Sequence, residues 1–170
     1  ETVLEWMYFD ENNEVVFDQN MIHEWLAGLN EKYATFDDIR QFSSTLKGTV
    51  EVPAGTLGWS IDRETETANI AADLYAGVDV TREPAIVGTG YANSLAGESD
   101  IGQSYVEVDM LSQMMFVYVD GVKVLETPIV TGQIGTSTVA GAYSVWNKET
   151  DTSLKGFNDH TGLDYVQPVD

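Results

Sequence analysis

Few residues in this chain have the types and spacing that chemistry requires. Asp10, Asn12 and Glu14 repeat the first, third and fifth ligand positions of a calcium loop. Val15 then stands where that loop needs its glycine, and Met21 where it needs a bidentate glutamate. A solvated turn is the better reading. His23, between Ile22 and Glu24, has no metal-ligand partner at a useful spacing and reads as a surface or half-buried helical residue. His160 lies in Asn158-Asp-His-Thr161. Neighbours in sequence do not orient each other as base and orienter, and no serine or cysteine nucleophile motif stands beside it. Gly132-Gln-Ile-Gly135 lacks the third glycine and following helix of a dinucleotide loop, so it reads as turns. Trp6, Trp25, Trp59 and Trp146 could stack on sugars, but each sits in an apolar pattern that favours core packing. A carboxylate pair for glycoside hydrolysis cannot be selected from 28 acids by sequence alone. No catalytic, cofactor-binding or metal-binding residue is therefore assigned, and no cofactor is expected.

Composition narrows the classes further. The 170 residues carry 8 Lys+Arg against 28 Asp+Glu, a net charge of −20. Such a surface repels phosphate backbones and anionic lipid, which argues against nucleic acid as a partner. Hydrophobic residues make up 43%, enough for a packed core. There is no cysteine, hence no disulfide, thiolate metal site or cysteine nucleophile in the chain. No run of about 18 apolar residues occurs, the length a spanning helix needs. The chain opens at Glu1 without a basic-then-apolar leader, as expected of an excised or processed segment.

The elements that would hold any site change character along the chain. Residues 1–100 read as mixed α and β. Short strands at Glu5 to Phe9 and Val15 to Phe17 surround the turn Asp10-Glu-Asn-Asn13. Asp18 caps a helix whose stripe is Met21, Ile22, Trp25, Leu26 and Leu29, ending near Lys32. Ile39 to Leu46 and Thr49 to Val52 flank Lys47-Gly48 as a hairpin, and Leu57 to Ile61 is a strand. Asp62 caps a second helix, Arg63 to Ala76, with Glu64 and Glu66 favoured by the helix dipole. Ile70, Ala71 and Leu74 form its stripe and Gly77 stops it. Gly88-Thr-Gly-Tyr-Ala-Asn-Ser-Leu-Ala-Gly97, with Glu98 to Gly102 behind it, is the most linker-like stretch, and the domain boundary is expected there.

Beyond it the period changes to two. Val106, Val108 and Met110 share one face, Glu107 and Asp109 the other. Met114 to Val119 and Val122 to Val130 flank Asp120-Gly121, a strong hairpin signal. Ala142 to Trp146 is expected as a further strand, and Lys148 to Asp170 as loop. The expected architecture is an α+β domain over 1–100 followed by an incomplete all-β sheet over 101–170, with one apolar face and no evident closing partner.

The second unit resembles the opening of the YkuD-type L,D-transpeptidase catalytic domain. The resemblance is carried by Tyr105-Val-Glu-Val-Asp-Met-Leu-Ser-Gln-Met-Met-Phe-Val-Tyr-Val-Asp-Gly121 and Val122-Lys-Val-Leu-Glu-Thr-Pro-Ile-Val-Thr-Gly132. These match an extended strand, a Ser-Gln turn, a hairpin closed by Asp-Gly, and a strand ending in Val-Thr-Gly. In Thr136-Ser-Thr-Val-Ala-Gly-Ala-Tyr143, Gly141 and Tyr143 fit, while Val139 replaces the family's usual proline. Phe42 to Gly48 and Leu57-Gly-Trp-Ser-Ile-Asp62, with the helix that follows, are similar to the acidic peptidoglycan-binding-like domain that often precedes this catalytic domain in Gram-positive bacteria.

The resemblance implies a cysteine enzyme. The family's nucleophile lies in a Ser-His-Gly-Cys motif with a histidine on a neighbouring strand, and neither has a counterpart up to Asp170. His160 does not match that histidine. The expectation is a YkuD-like domain cut before its nucleophile: an inactive fragment of an extracellular, cell-wall or membrane-anchored enzyme that cross-links peptidoglycan stem peptides. An alternative is a non-catalytic wall-binding or interaction module, its acidic surface binding cationic groups. A third, weaker reading is a sugar-binding β-module using the tryptophans. Self-association through the unfinished sheet is a further expectation.

Overall fold

A computed structural model describes residues 2–132, 135–149, 152–158 and 163–169. A short helix α1 (Thr2–Glu5) leads into the hairpin β1 (Met7–Phe9) and β2 (Val15–Phe17), so the strand expected from Glu5 begins later. Helix α2 (Gln19–Tyr33) starts where expected: the Asp18 carboxylate accepts from the backbone N–H groups of Asn20 and Met21. Strands β3 (Arg40–Ser44) and β4 (Gly48–Val52) form the expected hairpin. Strand β5 (Trp59–Ile61) precedes α3 (Arg63–Ala76), which begins at Asp62 and ends at Gly77 with φ +64°. That is the left-handed conformation glycine adopts without strain.

The main core lies between these elements. Trp6, Ile22, Leu26, Trp59, Ile61 and Ala71 are buried together, with Leu29, Ile70 and Leu74 packed against them. Asn30 of α2 stands in for a strand partner of β5: its amide donates to the Ile61 carbonyl and accepts from the Ile61 N–H. This satisfies backbone groups that a three-residue strand cannot pair on that side.

The glycine-rich stretch is more ordered than a linker reading expects. Strand β6 (Ile86–Gly88) pairs antiparallel with β5, and helix α4 (Tyr91–Leu95) follows. Tyr91 packs edge-on against Trp59, ring centroids 4.8 Å apart. Close backbone approach explains the glycines: a Cβ on Gly88 would lie 2.0 Å from the Gly58 carbonyl oxygen.

Strands β7 (Tyr105–Asp109), β8 (Met114–Val119) and β9 (Val122–Pro128) form one antiparallel sheet in that order. The Asp-Gly turn is as anticipated, with positive φ at both Asp120 (49°) and Gly121 (76°). Ala142 to Trp146 is a correction: it lies outside any strand. Its backbone pairs with a loop instead, since Ala142 donates to the Pro53 carbonyl and accepts from the Leu57 N–H. The segment expected as loop from Lys148 onward is also corrected. It contains β10 (Thr152–Asn158) and β11 (Leu163–Val169), paired antiparallel. Lys155, Gly156 and Asn158 interrupt any simple apolar run in the sequence, so the strands were not apparent from it. The described residues thus form mostly small antiparallel sheets with a few helices.

Candidate functional site

The most developed polar constellation joins the β3–β4 hairpin to the three-stranded sheet. Side-chain alternation places Tyr105, Glu107 and Asp109 on one face of β7, and that face is turned inward. Glu107 and Asp109 are buried while Val106 and Val108 are exposed, the reverse of the usual pattern for such a strand. Donors from the hairpin explain it. The Glu107 carboxylate accepts from the Ser44 hydroxyl at 2.8 Å, and from the backbone N–H and hydroxyl of Thr45. The Thr45 hydroxyl also meets the Tyr118 hydroxyl at 2.8 Å. Phe42 packs edge-on against Tyr105, which stacks on Tyr118.

Asp109 is held by Lys47 Nζ at 2.7 Å, by the N–H groups of Leu111 and Ser112, and by the Ser112 hydroxyl. The Lys47 ammonium and then the Ser112 N–H lower its pKa from 3.8 to about 2. A second buried pair anchors the stretch after α4. Arg40 donates to both oxygens of Asp100 and to the carbonyls of Thr35, Asp38 and Leu57. Burial pushes Asp100 up, but the bonds from Arg40 outweigh it and hold the carboxyl below its usual range.

Each of these carboxylates accepts several donors from a neighbouring element, so the constellation reads as a joint that positions the hairpin and the sheet. Sequence reasoning missed it because its members lie about 60 residues apart, and alternation alone does not say which face of the strand is covered.

The residues weighed individually fall as follows. Asp10 closes an Asx turn, accepting from the N–H groups of Asn12 and Glu14. The solvated-turn reading fits, and among the described residues no cluster of three or more acidic, histidine or cysteine side chains could hold a metal. His23 is half-buried on α2. His160, and the two central residues of Gly132-Gln-Ile-Gly135, lie outside the described residues. Trp6 and Trp59 are core residues, and Trp25 flanks Trp6 edge-on at 5.3 Å. Trp146 is a correction: it is 90% exposed, because its segment forms no strand.

An open cavity of about 490 Å3 lies between α3 and the following loop, with Ile70, Leu74 and Val80 in its wall. Glu66, Asp73 and Arg82 at its edge are already paired with one another. Among the described residues no helix is long and apolar enough to cross a membrane.

No protein-family model and no curated protein matches the chain. Solved structures do. Over 99% of its length the chain matches a carbamoyl enzyme formed by Ldtfm with avibactam, with 37% identity and a TM-score of 0.77. It matches a cysteine-to-serine mutant of the Enterococcus faecium L,D-transpeptidase with 36% identity, a TM-score of 0.76 and the same 99% coverage. It spans 64% and 65% of those chains, respectively. The structural neighbours of this chain are thus L,D-transpeptidases, and the likeness extends over nearly the whole of it.

Proposed function

We propose that the chain is part of a cell-wall cysteine L,D-transpeptidase, and that the nucleophile is supplied by polypeptide outside these 170 residues. The carrying observation is the match over 99% of the chain at 37% identity and a TM-score of 0.77. The chain contains no cysteine, which supports a nucleophile contributed from outside it.

In this reading a histidine-activated thiolate attacks the carbonyl of the L-to-D peptide bond in a tetrapeptide stem. The carbon–nitrogen bond breaks and the terminal D-residue leaves as its amine. The thioester is then attacked by the side-chain amine of a neighbouring stem, which forms the cross-link and regenerates the thiol. Oxyanion donors beside the cysteine stabilise both tetrahedral intermediates. The Glu107–Thr45 and Asp109–Lys47 joint fixes the β3–β4 hairpin against β7–β9, so these two elements present a fixed frame. We place the enzyme outside a Gram-positive cell, with residues 1–100 as a peptidoglycan-binding-like domain.

The alternative, a non-catalytic wall-binding module, is favoured by the missing cysteine and the net charge of −20. The test is acyl transfer from a tetrapeptide stem to an amine acceptor. The purified chain alone is expected to transfer nothing; transfer by it would overturn the assignment. A polypeptide that extends this chain through a Ser-His-Gly-Cys motif is expected to form the cross-link. An inert extended polypeptide that still binds purified wall sacculi would favour the module.

A further inference from the structure

The cavity between α3 and the loop that follows has no part in the functional reading above. Its volume, about 490 Å3, is in the range that holds small ligands. Ile70, Leu74, Val78, Val80 and Pro84 give it an apolar wall. Val78 is 58% exposed and Val80 46%, so that wall is open to a ligand. Three carboxylates, Glu66, Asp73 and Asp79, surround it with one cation, Arg82, a local net charge of −2. Arg82 is already paired with Glu66 and Asp73. Asp79 has no partner among the described residues. The backbone N–H and carbonyl groups of Val78 to Thr81 are unpaired among them as well.

These features select one chemistry. An anion would find no free cation at the rim and a chain of net charge −20 behind it. A second copy of the chain meets the same repulsion. A wholly apolar ligand would leave the Asp79 carboxylate unanswered. An alkyl stem ending in an ammonium satisfies both halves of the cavity: its methylenes lie along Ile70, Leu74 and Val80, and its charge stays at the wet rim beside Asp79. The open loop backbone adds N–H donors and carbonyl acceptors. A peptide answers both, whereas a free ammonium only donates. We propose that this cavity binds a peptide side chain that carries an amine on an alkyl stem, with the peptide backbone lying along Val78 to Thr81. The proposal uses neither the hairpin–sheet joint nor cysteine chemistry, so its failure would leave the transpeptidase reading untouched.

The test titrates the purified, isotope-labelled chain with Nα-acetyl-lysine methylamide and follows backbone amide signals by nuclear magnetic resonance. Saturable shifts at Val78 and Val80 are expected. The norleucine analogue keeps the alkyl stem without the charge and should bind about fivefold more weakly, the usual strength of an exposed ion pair. Asp79→Asn should weaken the lysine probe by the same factor and leave the norleucine probe unchanged. Val80→Ser should weaken both probes about threefold, because it strips apolar wall from the stem. Pentylamine, with stem and charge but no amides, should bind about fivefold more weakly than the lysine probe. Glu24→Gln, at an exposed acid on α2, should change nothing. All three substitutions are at exposed positions, so the chain should stay folded, and circular dichroism checks this.

The absence of saturable shifts at Val78 and Val80 would overturn the proposal. So would equal binding of the norleucine probe, which would remove Asp79 from the site. A loss in Glu24→Gln equal to that in Asp79→Asn would show general attraction to an acidic surface and would overturn it too. Pentylamine that binds as tightly as the lysine probe would overturn the assignment to a peptide.

Discussion

Glu107 accepts three hydrogen bonds from two residues of one hairpin, and it is the clearest case of a side chain whose role depends on tertiary structure. Glu107→Ala leaves three donors without their acceptor and should destabilise the chain by about 3 kcal/mol. Glu107→Gln keeps one carbonyl acceptor and should cost about 1 kcal/mol. Chemical denaturation of both variants reads the difference. Arg40 and Asp100 behave as a buried ion pair. Arg40→Ala should cost roughly 3–5 kcal/mol, because it strands the Asp100 carboxylate. The double variant Arg40→Met/Asp100→Leu should recover much of that loss, and a double variant no more stable than Arg40→Ala would show that the fan of bonds from Arg40 to carbonyls matters more.

Acid stability follows from Asp109. Its folded pKa, about 2, lies below the ordinary value of 3.8, so the unfolded chain binds the proton more readily. The stabilisation is therefore present above about pH 4 and is lost as pH falls toward 2. Urea midpoints across that window should fall more steeply for the parent chain than for Asp109→Asn. Equal slopes would contradict the role of Lys47.

Legibility at the scale of elements followed locality. Both long helices and the Asp120-Gly121 turn were readable because caps, stripes and turn residues act within a few positions. Gly77→Ala tests one such signal. A Cβ there meets nothing within 4 Å, so the cost is backbone conformation alone, about 1 kcal/mol by thermal unfolding. The three-stranded sheet was readable in its strands but not in its orientation. Alternation shows that Val106 and Glu107 face opposite ways; which way is inward depends on a hairpin some 60 residues earlier in the chain. The β10–β11 ribbon was not readable, since its sequence lacks a sustained apolar alternation. Trp146 failed for a related reason: an apolar run suggested a strand, but its neighbour Ala142 pairs with a loop.

For the whole molecule, motif order carried further than chemistry. The sheet motifs pointed to an L,D-transpeptidase framework, and the solved structures that match the chain are L,D-transpeptidases. No reactive centre was legible because the chain contains no cysteine and its buried carboxylates are consumed as joints. The proposal to be tested is that this framework belongs to a longer cysteine enzyme. The most direct measurement is the coding sequence across the codon for Asp170. An open frame that continues into a Ser-His-Gly-Cys motif, preceded by a histidine, is expected. A stop codon immediately after Asp170 would contradict it and leave the wall-binding module in its place.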